Sequence, residues 1–197
     1  MRLFYNWFFL VLWAVYILYW QIAARGAKSN ERVEPLVSRV IRSVTFLIAI
    51  ALLMGHWVSI PVLYRFYLPE NAWEAWFWIG AVINVLGLGF AVWARVYLGS
   101  NWSRSVTIKQ DHELITGGPY GLVRHPIYTG LLTGFLGTAI AVAQIRGLLT
   151  FALIFAVLWY KLRLEERWMR LQFGTAYEQY AQRVPALVPL LRRRSQV

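Results

Sequence analysis

Two groups of polar residues carry types and spacings that could do chemistry. The first is Gly117-Gly118-Pro119-Tyr120, followed by Val123-Arg124-His125-Pro126. The paired glycines permit a tight turn or a close backbone approach to a ligand. Pro126 suits the first position of a helix, where its missing N–H costs nothing. It biases His125 towards an extended conformation just outside that helix, at the positive end of the helix dipole. Tyr128 then falls in the first turn. A plain helix-start signal with Arg and His at its edge accounts for the same residues. The second group is Glu165-Glu166, set among Lys161, Arg163, Arg167 and Arg170 behind a long apolar run. A carboxylate beside a membrane surface is costly unless it is paired or serves a ligand. An ion-paired interfacial helix and a ligand site both satisfy that condition.

Several other chemistries lack their residues. With no cysteine there are no disulfides, thiolate metal sites or Cys nucleophile, and the redox compartment stays open. No His-x-x-x-His pair and no carboxylate cluster point to a metal. Gly-x-Ser-x-Gly, the P-loop and a strand-linked Gly-x-Gly-x-x-Gly are missing too. His56 lies inside an apolar stretch, where a hydrogen bond to a neighbouring helix explains it, and His112 lies in a polar loop.

The elements that must position these groups are membrane helices. Hydrophobic residues make up 59% and charged residues 15% of the 197, against roughly 45–50% and about 25% in soluble domains. Spans of about 20 apolar residues are expected at Leu3–Ala24, Val44–Tyr64 and Trp76–Leu98. Pro126–Ala143 and Gly147–Tyr160 form a tight helical hairpin joined through Gln144, Ile145 and Arg146. Leu3–Ala24 reads as a first span rather than a cleaved leader, because its apolar run is too long and no A-x-A site follows. Leu164–Gln182 reads as a separate amphipathic helix lying in the interface, ended by Pro185 and Pro189.

Lys and Arg fall between the spans as one, five, one, four, one and eight residues along the chain. The positive-inside rule then puts the N-terminus outside and the C-terminus in the cytosol. The net charge of +11 is read as topology and contact with anionic membrane lipids, not as a nucleic-acid surface. The expected architecture is therefore an all-α integral membrane protein with five transmembrane helices. Residues 1–98 carry three spans. Residues 99–197 form a catalytic half, with a cytosolic loop, a hairpin and an interfacial helix.

Four stretches in order match a known pattern: Gly118-Pro119-Tyr120-Gly121-Leu122-Val123-Arg124-His125-Pro126-Ile127-Tyr128-Thr129-Gly130, Glu165-Glu166, Phe173-Gly174-Thr175-Ala176-Tyr177-Glu178-Gln179-Tyr180, and Arg183-Val184-Pro185. Together they resemble the isoprenylcysteine carboxyl methyltransferases. The related phospholipid N-methyltransferases share the Arg-His-Pro and paired-Glu elements. The resemblance covers about residues 99–189.

It implies a membrane enzyme that takes S-adenosylmethionine from the cytosol and a lipid-like acceptor sideways from the bilayer, without a metal. Carried onto this sequence, it makes His112, Glu113, Leu114 and Ile115 cofactor-lining, together with Tyr120, His125, Pro126, Ile127 and Tyr128. Glu165 matches the acid that holds the cofactor's amino-acid portion, and Arg124, His125 and Glu165 become the candidate catalytic residues. Where eukaryotic members place an Arg for the substrate carboxylate, Lys161 stands, with Arg163 two residues on. Lys lacks the bidentate fork of Arg.

The expected reaction is O-methylation of the carboxylate of a prenylcysteine-type acceptor. Rival readings are N-methylation of a phospholipid amine, a membrane NADPH-dependent reductase sharing the C-terminal half, and a non-catalytic membrane subunit. A short chain without eukaryotic retention signals points to a prokaryotic plasma membrane.

Overall fold

The computed structural model describes residues 2–23, 36–54, 60–99 and 114–189. Six α-helices follow in chain order among them: α1 (Arg2–Ala23), α2 (Leu36–Met54), α3 (Trp73–Leu98), α4 (Pro126–Val142), α5 (Ile145–Phe173) and α6 (Thr175–Arg183). Among the described residues there is no β-strand, only an isolated bridge between Phe66 and Gln144. The stretches Glu70–Leu98 and Ile145–Phe173 are long and apolar enough to cross a membrane. Trp7–Ala23, Ser43–Leu53 and Pro126–Val142 are shorter apolar helices.

Helices α1, α3 and α4 lie within a few residues of the expected spans. Two others differ. The second span was expected at Val44–Tyr64, but α2 covers Leu36–Met54 and Pro61–Tyr64 forms a separate 3-10 turn. Pro61 disfavours helix at the residue before it, and Ile60 is extended (φ −106°, ψ 101°). At the other end, Arg39 and Arg42 fall inside α2, because charge interrupts a hydropathy window without interrupting a helix.

The expected interfacial helix Leu164–Gln182 does not exist as a separate element. Its first ten residues continue α5, which runs unbroken for 29 residues, or about 43 Å at 1.5 Å per residue. Lys, Leu, Arg and Glu between Tyr160 and Phe173 are good helix formers. Pairs four apart, Lys161–Glu165 and Glu166–Arg170, reinforce them. The break comes at Gly174, whose φ of +50° L-residues rarely adopt. The hairpin link is also shorter than expected: α5 begins at Ile145 and takes in Arg146.

Helix α4 is the hub. Its face against α3 is glycine: a Cβ added at Gly80 would stand 2.3 Å from the Gly137 carbonyl oxygen, and one at Gly130 would stand 2.5 Å from that of Gly87. The two backbones touch, as small residues allow between helices in a membrane. Asn84, fully buried in this seam, donates to Gly134 O (2.7 Å) and Thr138 Oγ1 (2.8 Å). Trp13 Nε1 donates to the same hydroxyl at 3.1 Å, tying α1 to α4.

On its other side α4 packs Ile127, Leu132 and Phe135 with Ile154, Leu158 and Leu162 of α5 and Ala49 of α2. At the far end, segment 65–67 pins the α4–α5 turn through Tyr67 N to Ala143 O and Ile145 N to Arg65 O.

Candidate active site

The chemistry-bearing residues meet where α4 begins and the charged part of α5 passes it. A 3-10 turn at Gly118–Gly121 approaches this point. Gly118 has φ +55°, and a Cβ there would stand 2.5 Å from the Tyr97 ring, so both conformation and space call for glycine. Tyr120 in this turn is buried, and its carbonyl accepts from Tyr180 Oη of α6 (2.6 Å). Burial pushes the Tyr120 phenol up, and the negative charge of Glu165 adds to the effect. The phenol stays protonated at neutral pH.

The next residues are held by the chain's C-terminal segment. Arg124 N donates to Pro185 O (2.8 Å) and His125 N to Ala186 O (3.0 Å). Thr129 Oγ1, one turn into α4, donates to Leu187 O (2.7 Å). These bonds fix His125 just outside α4, before Pro126, with φ −124° and ψ 62°, outside the helical region but short of the extended conformation expected from the sequence.

The neighbouring carboxylates of α5 have different surroundings. Glu166, its side chain 4% exposed, is locked. Arg124 Nε donates to its Oε1 at 2.9 Å, Arg124 Nη2 reaches the same oxygen, and Arg170 Nη2 lies 3.3 Å from Oε2. Arg124 Nη1 also donates to Ala181 O and Val184 O, so its guanidinium knots α5, α6 and the loop before α4 together. Glu165, 25% exposed, opens to the surroundings. Tyr128 donates its hydroxyl to Oε1, and Lys161 Nζ lies 3.7 Å from that oxygen. The same Nζ stands 5.3 Å from the centroid of the Tyr128 ring.

His125 sits between the acids, stacked on Tyr128 with ring centroids 5.5 Å apart. Its Nδ1 is 3.6 Å from Glu165 Oε2 and its Nε2 is 3.4 Å from Glu166 Oε1. Both are charge contacts, and Nε2 lacks the geometry of a hydrogen bond. Burial of the ring opposes its charged form, but the two carboxylates outweigh that and raise its pKa above the ordinary histidine value.

Of the residues singled out from sequence, the structure thus brings together Arg124, His125, Tyr128, Lys161 and Glu165. Tyr120, Pro126 and Ile127 are buried in the turn and the first turn of α4 beside them. Leu114 and Ile115 are half-buried, Ile115 against the core that contains Tyr120 and Tyr128. His112, Glu113 and His56 lie outside the described residues. Arg163 does not join the group. It is exposed, two residues and so about 200° around α5 from Lys161.

Sequence reasoning named Arg170 and Tyr180 without assigning them these partners, and it missed the backbone contacts of 185–187. Arg170 had a signal, four residues after Glu166. Backbone partners have none.

A carboxylate that is partly open, fixed by a hydroxyl and flanked by an aromatic face already holding a cation suits an ammonium-bearing ligand. The amino-acid end of S-adenosylmethionine fits Glu165 and Tyr128 in this respect.

Known proteins share this region. The family model described as phospholipid methyltransferase matches residues 75–176, from α3 into α6. A protein-S-isoprenylcysteine O-methyltransferase of Schizosaccharomyces pombe is 38% identical over 104 residues, 50% of this chain and 43% of that protein. A methanethiol S-methyltransferase of Bradyrhizobium diazoefficiens is 43% identical over 79 residues, 39% of this chain and 29% of that protein. Among solved structures, a eukaryotic intramembrane Ras methyltransferase, an isoprenylcysteine carboxyl methyltransferase, superposes with a TM-score of 0.52. Its sequence identity is 26%, over 79% of this chain and 52% of that one. The chain thus spans less than two thirds of the length of these relatives.

Proposed function

The chain belongs to the family of phospholipid methyltransferases and isoprenylcysteine carboxyl methyltransferases, and from that premise we propose that it is a membrane methyltransferase using S-adenosylmethionine. Its acceptor is the carboxylate of a lipid-like, prenylcysteine-type molecule. The observation that carries this reading is the contrast at Glu165-Glu166. One acid is consumed by Arg124 and Arg170, while its neighbour stays open beside the Tyr128 ring.

In this reading Glu165 receives the cofactor's ammonium. Tyr128 holds the carboxylate by its hydroxyl and offers its ring face to positive charge. His125 and Tyr120 shape the wall behind them. Arg124 does no chemistry: it positions His125 and closes the C-terminal segment over the site. S-adenosylmethionine held there would supply a sulfonium methyl group, which an acceptor oxygen would take by in-line displacement, the C–S bond breaking to leave S-adenosylhomocysteine as a neutral thioether.

The enzyme's part is alignment and exclusion of water. A carboxylate acceptor arrives ionised at neutral pH and needs no base. Glu165 and Glu166 favour the charged form of His125, and a charged imidazole has no lone pair to take a proton from an amine. Lys161 holds the acceptor's anionic head while its tail stays among the helices.

We place the site on the cytosolic side of a prokaryotic plasma membrane. The five apolar helices α1–α5 each cross, from an external N-terminus, on the alternation of Lys and Arg.

The purified protein, incubated with lipid extracts and a radiolabelled methyl donor, is expected to yield a labelled lipid that base hydrolysis releases, as an ester requires. A base-stable label would transfer the assignment to an amine or thiol acceptor. Binding of NADPH without binding of S-adenosylhomocysteine would make the protein a reductase.

A further inference from the structure

We propose that Lys161 is an internal stand-in for the cofactor's ammonium. It occupies Glu165 until the cofactor arrives and is then released towards the acceptor. The inference rests on Glu165 as the acid that receives the ammonium. Two features of the site would recognise a cationic group, the Oε1 oxygen of Glu165 and the face of Tyr128. Lys161 Nζ takes both, at 3.7 Å and 5.3 Å.

The contact with Glu165 is built to be exchanged. At 3.7 Å it is a Coulombic contact, longer than the roughly 2.7–2.9 Å of a charge-assisted hydrogen bond. The short bond to Oε1 comes from Tyr128 and is kept when the lysine leaves. Both partners are reachable from outside, with side chains 12% and 25% exposed. Lysine carries a compact charge on a flexible four-carbon stem, so Nζ can swing away while α5 stays in place. Glu166 offers the opposite case. Its partner Arg124 is fixed by two further carbonyls and cannot give way.

The exchange of one ammonium for another keeps a cation on Oε1 throughout, in addition to the Tyr128 hydroxyl and the His125 contact on Oε2. It also couples the two ligands. Each cofactor that binds frees one cation where the apolar part of α5 gives way to its charged part, where an anionic lipid head would lie. The acceptor therefore binds better after the cofactor than before it.

The test uses the full-length protein in lipid nanodiscs, titrated with S-adenosylhomocysteine and with 5′-methylthioadenosine, which lacks the amino-acid portion. Lys161→Met is expected to tighten S-adenosylhomocysteine about twofold to fivefold, the size of a partly exposed ion pair. Methylthioadenosine binding should stay unchanged. Lys161→Gln should act in the same direction, and Lys161→Arg should restore parental values.

Weaker or unchanged S-adenosylhomocysteine binding in both the Met and Gln variants would overturn the stand-in role, as would equal tightening of both ligands. Glu165→Gln separates the two levels. If it selectively weakens S-adenosylhomocysteine while the lysine variants do nothing, the stand-in alone fails. If it leaves that ligand unaffected, the ammonium assignment fails and the stand-in fails with it.

Discussion

The α3–α4 seam and the mouth where α4 meets the charged part of α5 are held in opposite ways. In the seam, Gly80, Gly87, Gly130 and Gly137 bring two backbones into contact, with Asn84 and Thr138 as a buried polar pair. In the mouth, Arg124, His125, Lys161, Glu165 and Glu166 meet through charged side chains, and the backbone contacts come from the C-terminal segment. A glycine seam has one arrangement. A charged mouth can exchange partners. The fold thus separates a close-packed seam from a charged mouth, and it uses α4 for both.

The largest expected effect comes from breaking the fixed half of the mouth. Arg124→Ala leaves Glu166, 4% exposed, with the outer Arg170 and the longer charge contact to His125. It also frees the carbonyls of Ala181 and Val184. Removing one partner of a buried pair costs about 3–5 kcal/mol. Thermal unfolding in detergent should show the loss, with α6 and the segment behind it becoming protease-sensitive first. A melting temperature within a degree of the parent would show that the knot is not structural.

The exchangeable half should respond in binding instead. Glu165→Gln is expected to weaken S-adenosylhomocysteine by about ten- to a hundredfold, the worth of one charge-assisted contact, roughly 1.5–3 kcal/mol. Glu166→Gln should lose stability yet bind nearly as the parent does. Equal small effects on binding would erase the distinction between the two acids.

The seam is next. Gly80→Ala puts a methyl group 2.3 Å from the Gly137 carbonyl oxygen, and overpacking of this kind costs about 1–3 kcal/mol. The same change at Gly89, where a Cβ would meet nothing within 4 Å, serves as the control. Comparable melting curves for the two variants would mean that the seam yields.

How far all this was legible in the sequence follows the same division. The motif residues of the mouth were readable because Arg-His-Pro and Glu-Glu are local. Helical phase alone separates Lys161, four residues before Glu165, from Arg163 on the opposite face. The reading kept both because it weighed charge and not phase. The ends of α2 and α5 were misjudged for a shared reason: hydropathy marks where a bilayer could be, and a helix carries on through Arg39 or Glu165 when no breaker intervenes. Asn84 and the carbonyls of residues 185–187 left no signal. One is a single polar residue in an apolar run, and the others act through backbone atoms whose partners lie some sixty residues away in the chain.

The smallest expected effect concerns His125, which joins the fixed and exchangeable halves by standing between Glu166 and Glu165. The charged or titratable groups of this cluster are the two acids, Tyr128 stacked on the ring, the neighbouring Arg124, and Lys161 across Glu165 and Tyr128. Its pKa is raised in the folded state, burial being outweighed by the carboxylates. A histidine of this kind stabilises the fold fully below its unfolded value near 6.5, and the contribution is lost as pH rises through the folded pKa. Stability, and the melting temperature with it, should therefore decline on the alkaline side of about pH 6.5, the free energy by no more than about 1.4 kcal/mol for each unit of pKa difference. In His125→Asn the decline should flatten, because the substituted amide does not titrate. If the parent instead gains stability over that interval, or the variant follows the same slope, His125 is not held charged by the two acids. An amine acceptor would then regain a base within reach.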